Sequence, residues 1–231
     1  MGFTLDKVVP WGRSFDEYVR MFDLSETDLR RSILGCGDGP AAFNAMLSKA
    51  GGEVVSFDPI YVFTSMQIQG RVKETYEAVM DQIRLNQESY LWDVISSVDD
   101  LAQIRMSAMD DFLADFEAGK LEGRYVAGEL PALPFENNSF DLALCSHFLF
   151  LYSDHLTMEF HRQSLKEMLR VAKEVRVFPI LKLDGKVSQF IDTIAEDFKE
   201  QGFRAELKYV PYEFQRGGNQ MLVMKRLSCI D

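Results

Sequence analysis

An apolar strand that runs directly into a glycine-rich loop is the feature that most constrains how this chain can fold. Residues 33–39 read Ile-Leu-Gly-Cys-Gly-Asp-Gly, a helical pattern follows at 41–50, and a second apolar strand follows at 53–58. Glycines at alternate positions remove the Cβ atoms that would keep a ligand away from the backbone. A strand, a glycine loop (residues 35–39), a helix and a second strand predict the start of a parallel α/β sheet.

The rest of the chain continues this alternation and then ends differently. Short apolar runs predict five further strands, at 124–127, 140–145, 174–180, 204–210 and 221–225. Helical stripes fill 156–172 and 187–201, and Ser14 with Glu17 forms a capping box for an N-terminal helix. The last two strands are separated by a loop that contains Gly217 and Gly218 and leaves no room for a helix. We therefore expect them to pair antiparallel.

The span 61–124 interrupts the alternation because it is helical in pattern throughout. A short crossover would bring the next strand within about 30 residues. Apolar stripes at 72–83 and 101–116 must each be buried against something. The chain leaves the sheet at Asp58, at the carboxyl edge, where open α/β sheets bind ligands. We expect a helical cap whose first part, residues 61–71, closes the pocket; the alternatives are helices that extend the core away from the site, or a homodimer face.

Composition and charge exclude several classes of protein. The chain has 231 residues, 47% hydrophobic and 26% charged, which predicts a single globular domain over 1–231 with the insertion 61–124. No apolar run reaches the length of a membrane span, and the N-terminus lacks a signal-peptide pattern. The net charge of 25 − 36 = −11 has the wrong sign for a nucleic-acid binder.

The cysteines indicate a reduced environment. Cys36, Cys145 and Cys229 are few, odd in number and far apart, so neither a disulfide framework nor a zinc site is expected. No cluster of histidine, cysteine and aspartate has metal-ligand spacing, and we predict no metal. Together with the absence of a signal-peptide pattern, these features predict a cytoplasmic protein.

Asp58 strengthens the case for a ligand at the glycine loop. It ends the second strand, 58 − 39 = 19 residues after Gly39, where a carboxylate can accept hydrogen bonds from both hydroxyls of a ribose. The alternative role is an aspartate that caps the chain before Pro59. The loop and Asp58 together indicate an adenosine-like ligand. The frame Gly37-x-Gly39-x-x-Ala42 also fits the dinucleotide pattern, so an NAD(P)-dependent oxidoreductase is one alternative.

A second motif lies at 128–141, which reads Gly-Glu-Leu-Pro-Ala-Leu-Pro-Phe-Glu-Asn-Asn-Ser-Phe-Asp. With the glycine loop, it resembles the class I S-adenosylmethionine (SAM)-dependent methyltransferases, nearest to the ubiquinone/menaquinone-biosynthesis-like (type 11) group. Members of that group typically read Gly-Asp-Ala-x-x-Leu-Pro-Phe-x-x-x-Ser-Phe-Asp here. The resemblance covers 32–58 and 124–226 but not 61–124. It implies a Rossmann-like, mostly parallel seven-stranded sheet with a C-terminal antiparallel hairpin, helices on both faces and an inserted helical cap.

The resemblance also implies which residues hold the cofactor SAM and its product S-adenosylhomocysteine. Asp58 would bind the ribose hydroxyls. The methionine and ribose part would be lined by Gly35, Cys36, Gly37 and Gly39, and the adenine by Pro59, Ile60, Glu129 and Leu130. Ser146 and His147 would border the methionine end and the acceptor. The family has an acid two residues before the first glycine, where this chain has Ile33. We expect Asp38, or Arg13 and Tyr18 in the N-terminal segment, to compensate.

Methyl transfer from SAM needs little beyond alignment of the acceptor with the methyl group. Positioning alone can supply ~7–11 kcal/mol of the barrier. His147 is the candidate catalytic base, and the alternative is a histidine that binds loop backbone. We therefore predict a methyltransferase that acts on a small-molecule acceptor by in-line displacement, with no nucleic-acid partner. A non-catalytic scaffold that binds a partner through 61–124 is the other alternative.

Overall fold

The computed structural model describes residues 11–227, so Cys229 and the extreme N-terminus lie outside the described residues. Within that range the strands are β1 (Ser32–Cys36), β2 (Glu53–Asp58), β3 (Tyr125–Ala127), β4 (Phe140–Ser146), β5 (Ala172–Phe178), β6 (Phe203–Tyr209) and β7 (Gln220–Arg226). The α-helices are α1 (Phe15–Met21), α2 (Phe43–Lys49), α3 (Ser65–Leu85), α4 (Val98–Leu121), α5 (Met158–Val171) and α6 (Ile191–Glu200).

The strands form one sheet in the order β3-β2-β1-β4-β5-β7-β6. Neighbouring strands from β3 to β5 pair parallel, whereas β7 pairs antiparallel with both β5 and β6. The predicted mostly parallel seven-stranded sheet with a C-terminal antiparallel hairpin is confirmed. The hairpin follows from a loop too short to hold a crossover helix.

Apolar cores cover both faces of the sheet. One core contains side chains of α5 and α6, and the other contains those of α1 and α2. The central strands are therefore buried on both faces, which explains why β4 is rich in apolar residues and why the charged Glu174 and Arg176 of β5 are buried as an ion pair.

The long helices α3 and α4 occupy most of the span 61–124 and pack against each other. Their buried faces contribute to two further apolar clusters, one around Tyr61 and Phe112 and one around Met80 and Tyr90. In addition α4 contacts α2, so the helical span rests on the sheet domain at that helix. None of the helices described in residues 11–227 is long and apolar enough to cross a membrane.

Two helices begin later than the sequence pattern predicts. Helix α2 begins at Phe43, not at 41, so Pro40 precedes the helix instead of occupying its first turn. The amide of Ala42 donates to the Arg13 carbonyl oxygen (3.0 Å), so this amide is not free for a ligand. Helix α6 begins at Ile191, not at 187, because Val187 forms an antiparallel bridge with Leu181.

Candidate functional site

A cavity of about 960 Å³ opens at the carboxyl edge of the sheet. Its walls come from the loops that follow β1, β2, β3, β4 and β5, from α3 and α4, and from the loop between β6 and β7. Loops at this edge collect in one place because the parallel strands all end there. A cavity of this volume lies near the top of the range for small-molecule sites, so it can hold a cofactor together with a second molecule.

The glycine loop forms the floor of the cavity at two left-handed positions. Gly37 has φ of 67° and Gly39 has φ of 55°, a region that side chains with a Cβ rarely adopt. A Cβ placed on Gly37 would lie 3.1 Å from the Phe148 ring. The Gly37 amide donates to the Phe57 carbonyl oxygen (2.9 Å), which fixes the loop against β2. Glycine is therefore required at 37 by backbone conformation and by the adjacent ring.

Asp58 holds the glycine loop and faces the cavity. Its Oδ2 accepts from the Gly39 amide (2.9 Å) and its Oδ1 accepts from the Ile60 amide (2.9 Å). The capping role considered as an alternative is therefore present. The Asp58 carboxylate can still accept hydrogen bonds from a ligand, because each oxygen has a further lone pair. Burial raises the pKa of Asp58 to about 6, although the two backbone hydrogen bonds oppose the shift.

Asp38 is a second buried carboxylate beside the glycine loop. Its oxygens accept from the Tyr18 hydroxyl (2.9 Å) and the Ser56 hydroxyl (2.6 Å). Burial raises its pKa to about 6, and these two hydrogen bonds only partly offset the effect. The carboxylate lies over Gly35, where a Cβ would come within 1.8 Å of Oδ2. The hydrogen-bond donors to Asp38 and Asp58 are hydroxyls and backbone amides, and neither carboxylate forms an ion pair among the described residues.

The structure brings most of the predicted site residues together and leaves two out. Those that line the cavity are Arg13, Tyr18, Gly37, Gly39, Asp58, Pro59, Ile60, Glu129, Leu130, Ser146 and His147. Gly35 and Cys36 do not line it. Asp38 covers Gly35, and Cys36 is fully buried in the apolar core, where burial raises the pKa of its thiol well above the usual value. Ile33 is also fully buried in the core, which explains why no acid stands there.

His147 has an unusual backbone and a suppressed charge. Its φ is 51°, a left-handed value that is costly for a residue with a Cβ and that clusters at functional sites. The imidazole Nδ1 is hydrogen-bonded to the Ser146 hydroxyl (2.9 Å). Burial, and then the positive charges of Arg13 and Arg105, lower the pKa of His147 well below its usual value. The imidazole is therefore neutral at pH 7, and the same effects make it a weak base.

A buried network of charges lies on the side of the cavity formed by α1 and α4. Arg105 of α4 pairs with Glu17 of α1, and the Tyr212 hydroxyl donates to the other Glu17 oxygen (2.8 Å). Burial by itself would raise the pKa of Glu17, but the attraction of Arg105 and Arg13 lowers it to about 2. The guanidinium of Arg13 donates to the Trp11 carbonyl oxygen (2.6 Å) and has no carboxylate partner among the described residues.

Sequence reasoning missed Arg105, Tyr212 and Tyr90 as cavity residues. One signal was available for Arg105, because it lies between Leu101 and Ala108 on the apolar stripe of α4, on the side that is buried. An arginine on a buried stripe needs an acidic partner. No pattern pointed to Tyr212 or Tyr90, because each lies in a loop whose position depends on the whole fold. Within residues 11–227 no group of acidic, histidine or cysteine side chains is arranged to hold a metal ion.

Comparison with solved structures finds similar chains of low identity. PH0226 from Pyrococcus horikoshii OT3 is 14% identical, with a TM-score of 0.48, and the match covers 92% of this chain and 91% of that one. Magnesium protoporphyrin IX methyltransferase from Synechocystis PCC 6803, solved with bound SAM, is 12% identical, with a TM-score of 0.45, over 92% of this chain and 78% of that one.

Sequence comparison gives two further findings. A family model described as a methyltransferase domain matches residues 106–175, which begin within α4 and end within β5. The match includes the 128–141 motif, His147 and their strands, but not the glycine loop. The uncharacterized protein MJ0045 of Methanocaldococcus jannaschii is 33% identical over 224 residues, which is 96% of this chain and 98% of that protein.

Proposed function

The chain belongs to the class I SAM-dependent methyltransferases, and from this premise we propose that it methylates a small-molecule acceptor bound in the 960 Å³ cavity. The observation that carries the proposal is the pair of buried carboxylates, Asp38 within the glycine loop and Asp58 hydrogen-bonded to it. Neither forms an ion pair among the described residues, and buried charges are normally paired. A cationic ligand that also bears hydroxyl groups would satisfy both.

The cavity residues fit SAM in three places. Asp58 would accept hydrogen bonds from the ribose hydroxyls, with Pro59 and Ile60 beside the adenine. Asp38, held by Tyr18, would receive the methionine ammonium group in place of the acid that Ile33 replaces. Glu129 and Leu130 would flank the adenine, with Leu130 buried and Glu129 at the exposed mouth.

Arg13 stays a predicted residue of the methionine end, where a guanidinium would repel the ammonium group and attract an anion. Tyr18 would compensate for the missing acid indirectly, because its hydroxyl positions Asp38. Arg13 is therefore left to interact with an anion.

The residues of the chain have a limited chemical task. SAM supplies a methyl group on a positively charged sulfur, so a new bond to the acceptor forms as the carbon–sulfur bond breaks and its electron pair stays on sulfur. The cavity walls exclude water and hold the acceptor in line, which is the main source of rate enhancement for such a transfer. His147 is neutral and lines the cavity, so it would accept a hydrogen bond from an acceptor hydroxyl or amine, while its lowered pKa makes it a weak base for the released proton.

The two alternative functions are less well supported. A nicotinamide dinucleotide would place its pyrophosphate on the free amides of a helix N-terminus. Here α2 begins after the glycine frame, and the Ala42 amide is already bonded to Arg13. A non-catalytic scaffold would not need a neutral histidine beside the glycine loop.

Incubation of the protein with methyl-labelled SAM and a cell extract tests the proposed function. We expect label in a low-molecular-weight fraction and stoichiometric S-adenosylhomocysteine. Binding of SAM without transfer to any extract component would support the scaffold, and co-purification of a nicotinamide would support the oxidoreductase. Label in RNA or protein would contradict the small-molecule acceptor.

Asp58→Ala is expected to weaken S-adenosylhomocysteine binding at least about tenfold, because a hydrogen bond to a charged group contributes about 1.5–3 kcal/mol. Calorimetry with S-adenosylhomocysteine and with its 2′,3′-dideoxy analogue checks this. The analogue lacks the hydroxyls, so its affinity should hardly change in the variant. Since Asp58 also holds the Gly39 amide, Asp58→Asn serves as a control that keeps the shape of the side chain. Equal losses for both ligands would mean that Asp58 acts only on the loop.

The first part of the helical span borders the cavity, as the lid hypothesis requires. Within the lid segment, residues 61–71, cavity-lining positions include Phe63, Gln67, Ile68, Gly70 and Arg71. Tyr61 anchors its start, because the buried hydroxyl donates to the Gly39 carbonyl oxygen (2.7 Å). Val62, Phe63 and Met66 are 66%, 49% and 79% exposed. Of these three side chains Phe63 lines the cavity, so it can become buried when a ligand enters.

Hydrogen exchange with and without S-adenosylhomocysteine tests the lid hypothesis. We expect slower exchange at 61–71 in the presence of the ligand, together with slower exchange at the glycine loop and Asp58. Helix α6 lies away from the cavity and serves as the internal control. Protection at the glycine loop with no change at 61–71 would reject the lid and favour a helical span that only extends the core.

A further inference from the structure

On the side of the cavity formed by α1 and α4, the buried positive charge exceeds the negative charge of its ion-pair partner. Arg13 and Arg105, the arginine pair, both line the cavity. Arg105 is only 1% exposed, and the single carboxylate of Glu17 is its ion-pair partner. Two guanidiniums and one carboxylate leave an excess of one positive charge. A buried charge without a partner is costly, so the arrangement indicates that an anion completes it.

The unused hydrogen-bond donors of the arginine pair also indicate that an anion binds there. The Nε atoms of Arg13 and Arg105 are buried, and neither has a hydrogen-bond partner among the described residues. A guanidinium offers five N–H donors in a planar fork that matches carboxylate and phosphate oxygens. Burial and the nearby charge of Arg105 lower the pKa of Arg13 to about 10, which still leaves it charged at pH 7.

The side chains around the arginine pair indicate the chemistry of the part of the ligand that is not anionic. The charge of Arg13 acts on Tyr18 and His147 as well as on Tyr90 and Tyr212, so Arg13 lies near both the candidate base and an aromatic wall. That wall is the aromatic lobe, formed by Trp11, Tyr90 and Phe214, all of which line the cavity. Tyr90 and Phe214 are stacked with their ring centroids 4.8 Å apart. An aromatic wall beside a cationic fork fits an apolar body that carries an anionic group.

We propose that the arginine pair and the aromatic lobe form the acceptor subsite, and that the methyl acceptor is an aromatic or similarly apolar molecule bearing a carboxylate or phosphate. The inference rests on the proposed function and narrows its substrate class. Arg13 and Arg105 bind the anionic group, the aromatic lobe binds the body, and His147 faces the atom that receives the methyl group.

The anion of the acceptor must be distinguished from the carboxylate of SAM itself. Arg105 belongs to α4 in the helical span, and its bonded neighbours are Glu17 and Tyr212, not residues of the glycine loop. The charge of Arg13 acts on Tyr18, whose hydroxyl donates to Asp38, so Arg13 also lies near the methionine end. The carboxylate of SAM is therefore the competing ligand of Arg13, and the competition experiment below separates the two anions.

The test uses benzoate and phenyl phosphate as anionic probes and benzamide as the neutral isostere of benzoate. Protein is first saturated with S-adenosylhomocysteine, and its binding is measured by calorimetry. Each probe is then titrated by ligand-observed NMR. We expect at least one anionic probe to bind at least tenfold more tightly than benzamide. Tighter binding of benzoate would indicate an acceptor with a carboxylate, and tighter binding of phenyl phosphate an acceptor with a phosphate.

Arg13→Met removes the excess charge and leaves the Glu17–Arg105 pair intact, so no buried charge loses its partner. We expect the preference for the anionic probe to fall to within about twofold, the size of a neutral contact change, with unchanged affinity for S-adenosylhomocysteine. Arg13→Lys keeps the charge without the planar fork and should restore part of the preference. Arg84→Met removes one exposed arginine of α3 outside the cavity and controls for net charge.

Three outcomes would overturn the inference while leaving the proposed function intact. One is equal binding of benzoate, phenyl phosphate and benzamide to the S-adenosylhomocysteine complex. Another is an anionic preference that survives Arg13→Met. The third is benzoate that competes with S-adenosylhomocysteine but not with 5′-methylthioadenosine, which lacks the carboxylate; the arginine pair would then bind the cofactor. Failure of S-adenosylhomocysteine to bind at all would instead contradict the proposed function.

Discussion

Gly37→Val is expected to abolish S-adenosylhomocysteine binding, with a loss on the order of 100-fold or about 2.7 kcal/mol, in a chain that still folds. Gly37 has φ of 67°, which a β-branched residue tolerates poorly. Its new Cβ would also lie 3.1 Å from the Phe148 ring, before the two methyl groups are counted. Either the loop shifts away from the cofactor or Phe148 moves into the cavity. Calorimetry measures the affinity and circular dichroism the folding.

Gly202→Val is the matched control for this experiment. Gly202 has φ of 84° and no atom within 4 Å of its virtual Cβ, and it lies outside the cavity. The substitution therefore adds comparable backbone strain, about 1–2 kcal/mol, without touching the site. We expect reduced stability and normal binding. If Gly37→Val also binds normally, the glycine loop is only a turn.

Glu17→Gln is expected to lower the free energy of unfolding by about 3–5 kcal/mol, because it leaves buried arginines without their counter-charge. A typical domain has only about 5–15 kcal/mol in total, so the variant would be close to unfolding. Urea denaturation measures the change. Glu26→Gln is the matched control, since Glu26 pairs with Arg30 where the side chains are 91% and 72% exposed. That change should cost less than about 1 kcal/mol.

The pH dependence of stability gives the same prediction an independent check. The pKa of Glu17 is lowered to about 2 from an ordinary value of 4.5. Its contribution is therefore fully present above pH 4.5 and is lost as the pH falls towards 2. Glu17→Gln should lack the loss of stability that protonation of Glu17 causes at low pH. The difference in unfolding free energy between the unchanged protein and Glu17→Gln should shrink below pH 4.5. If it does not, or if Glu17→Gln costs no more than Glu26→Gln, the Glu17–Arg105 pair is not a major source of stability.

Predictions that rest on short-range patterns agree with the structure. Alternating strands and helices, the capping box of Ser14 with Glu17 and the terminal hairpin all depend on residues close in the chain. The start of α2 was placed wrongly because Pro40 looks like a first-turn proline, whereas the chain is held by Arg13, far away in sequence. Local propensity competes with such contacts and loses where a tertiary hydrogen bond sets the backbone.

The residues of the candidate site also fall into those that the sequence predicts and those that depend on tertiary packing. The glycine loop, Asp58 and the 128–141 motif were recognisable because each follows a strand and the carboxyl ends of parallel strands converge. Gly35 and Cys36 share that loop but face away from the cavity, since Asp38 folds back over Gly35. Direction of a side chain within a loop depends on packing, and spacing alone does not predict it.

The sequence by itself determined the order of strands and helices, the glycine loop and its family, because these depend on periodicity and on backbone geometry within a few residues. Only the tertiary structure decided the charge of the cavity. Glu17 meets Arg105 across 88 residues and Tyr212 across 195 residues of chain. Whether a charged side chain is solvated or buried with a partner depends on which distant segments enclose it. The excess positive charge that defines the proposed acceptor subsite therefore arises only when α1, α4 and the loop between β6 and β7 come together.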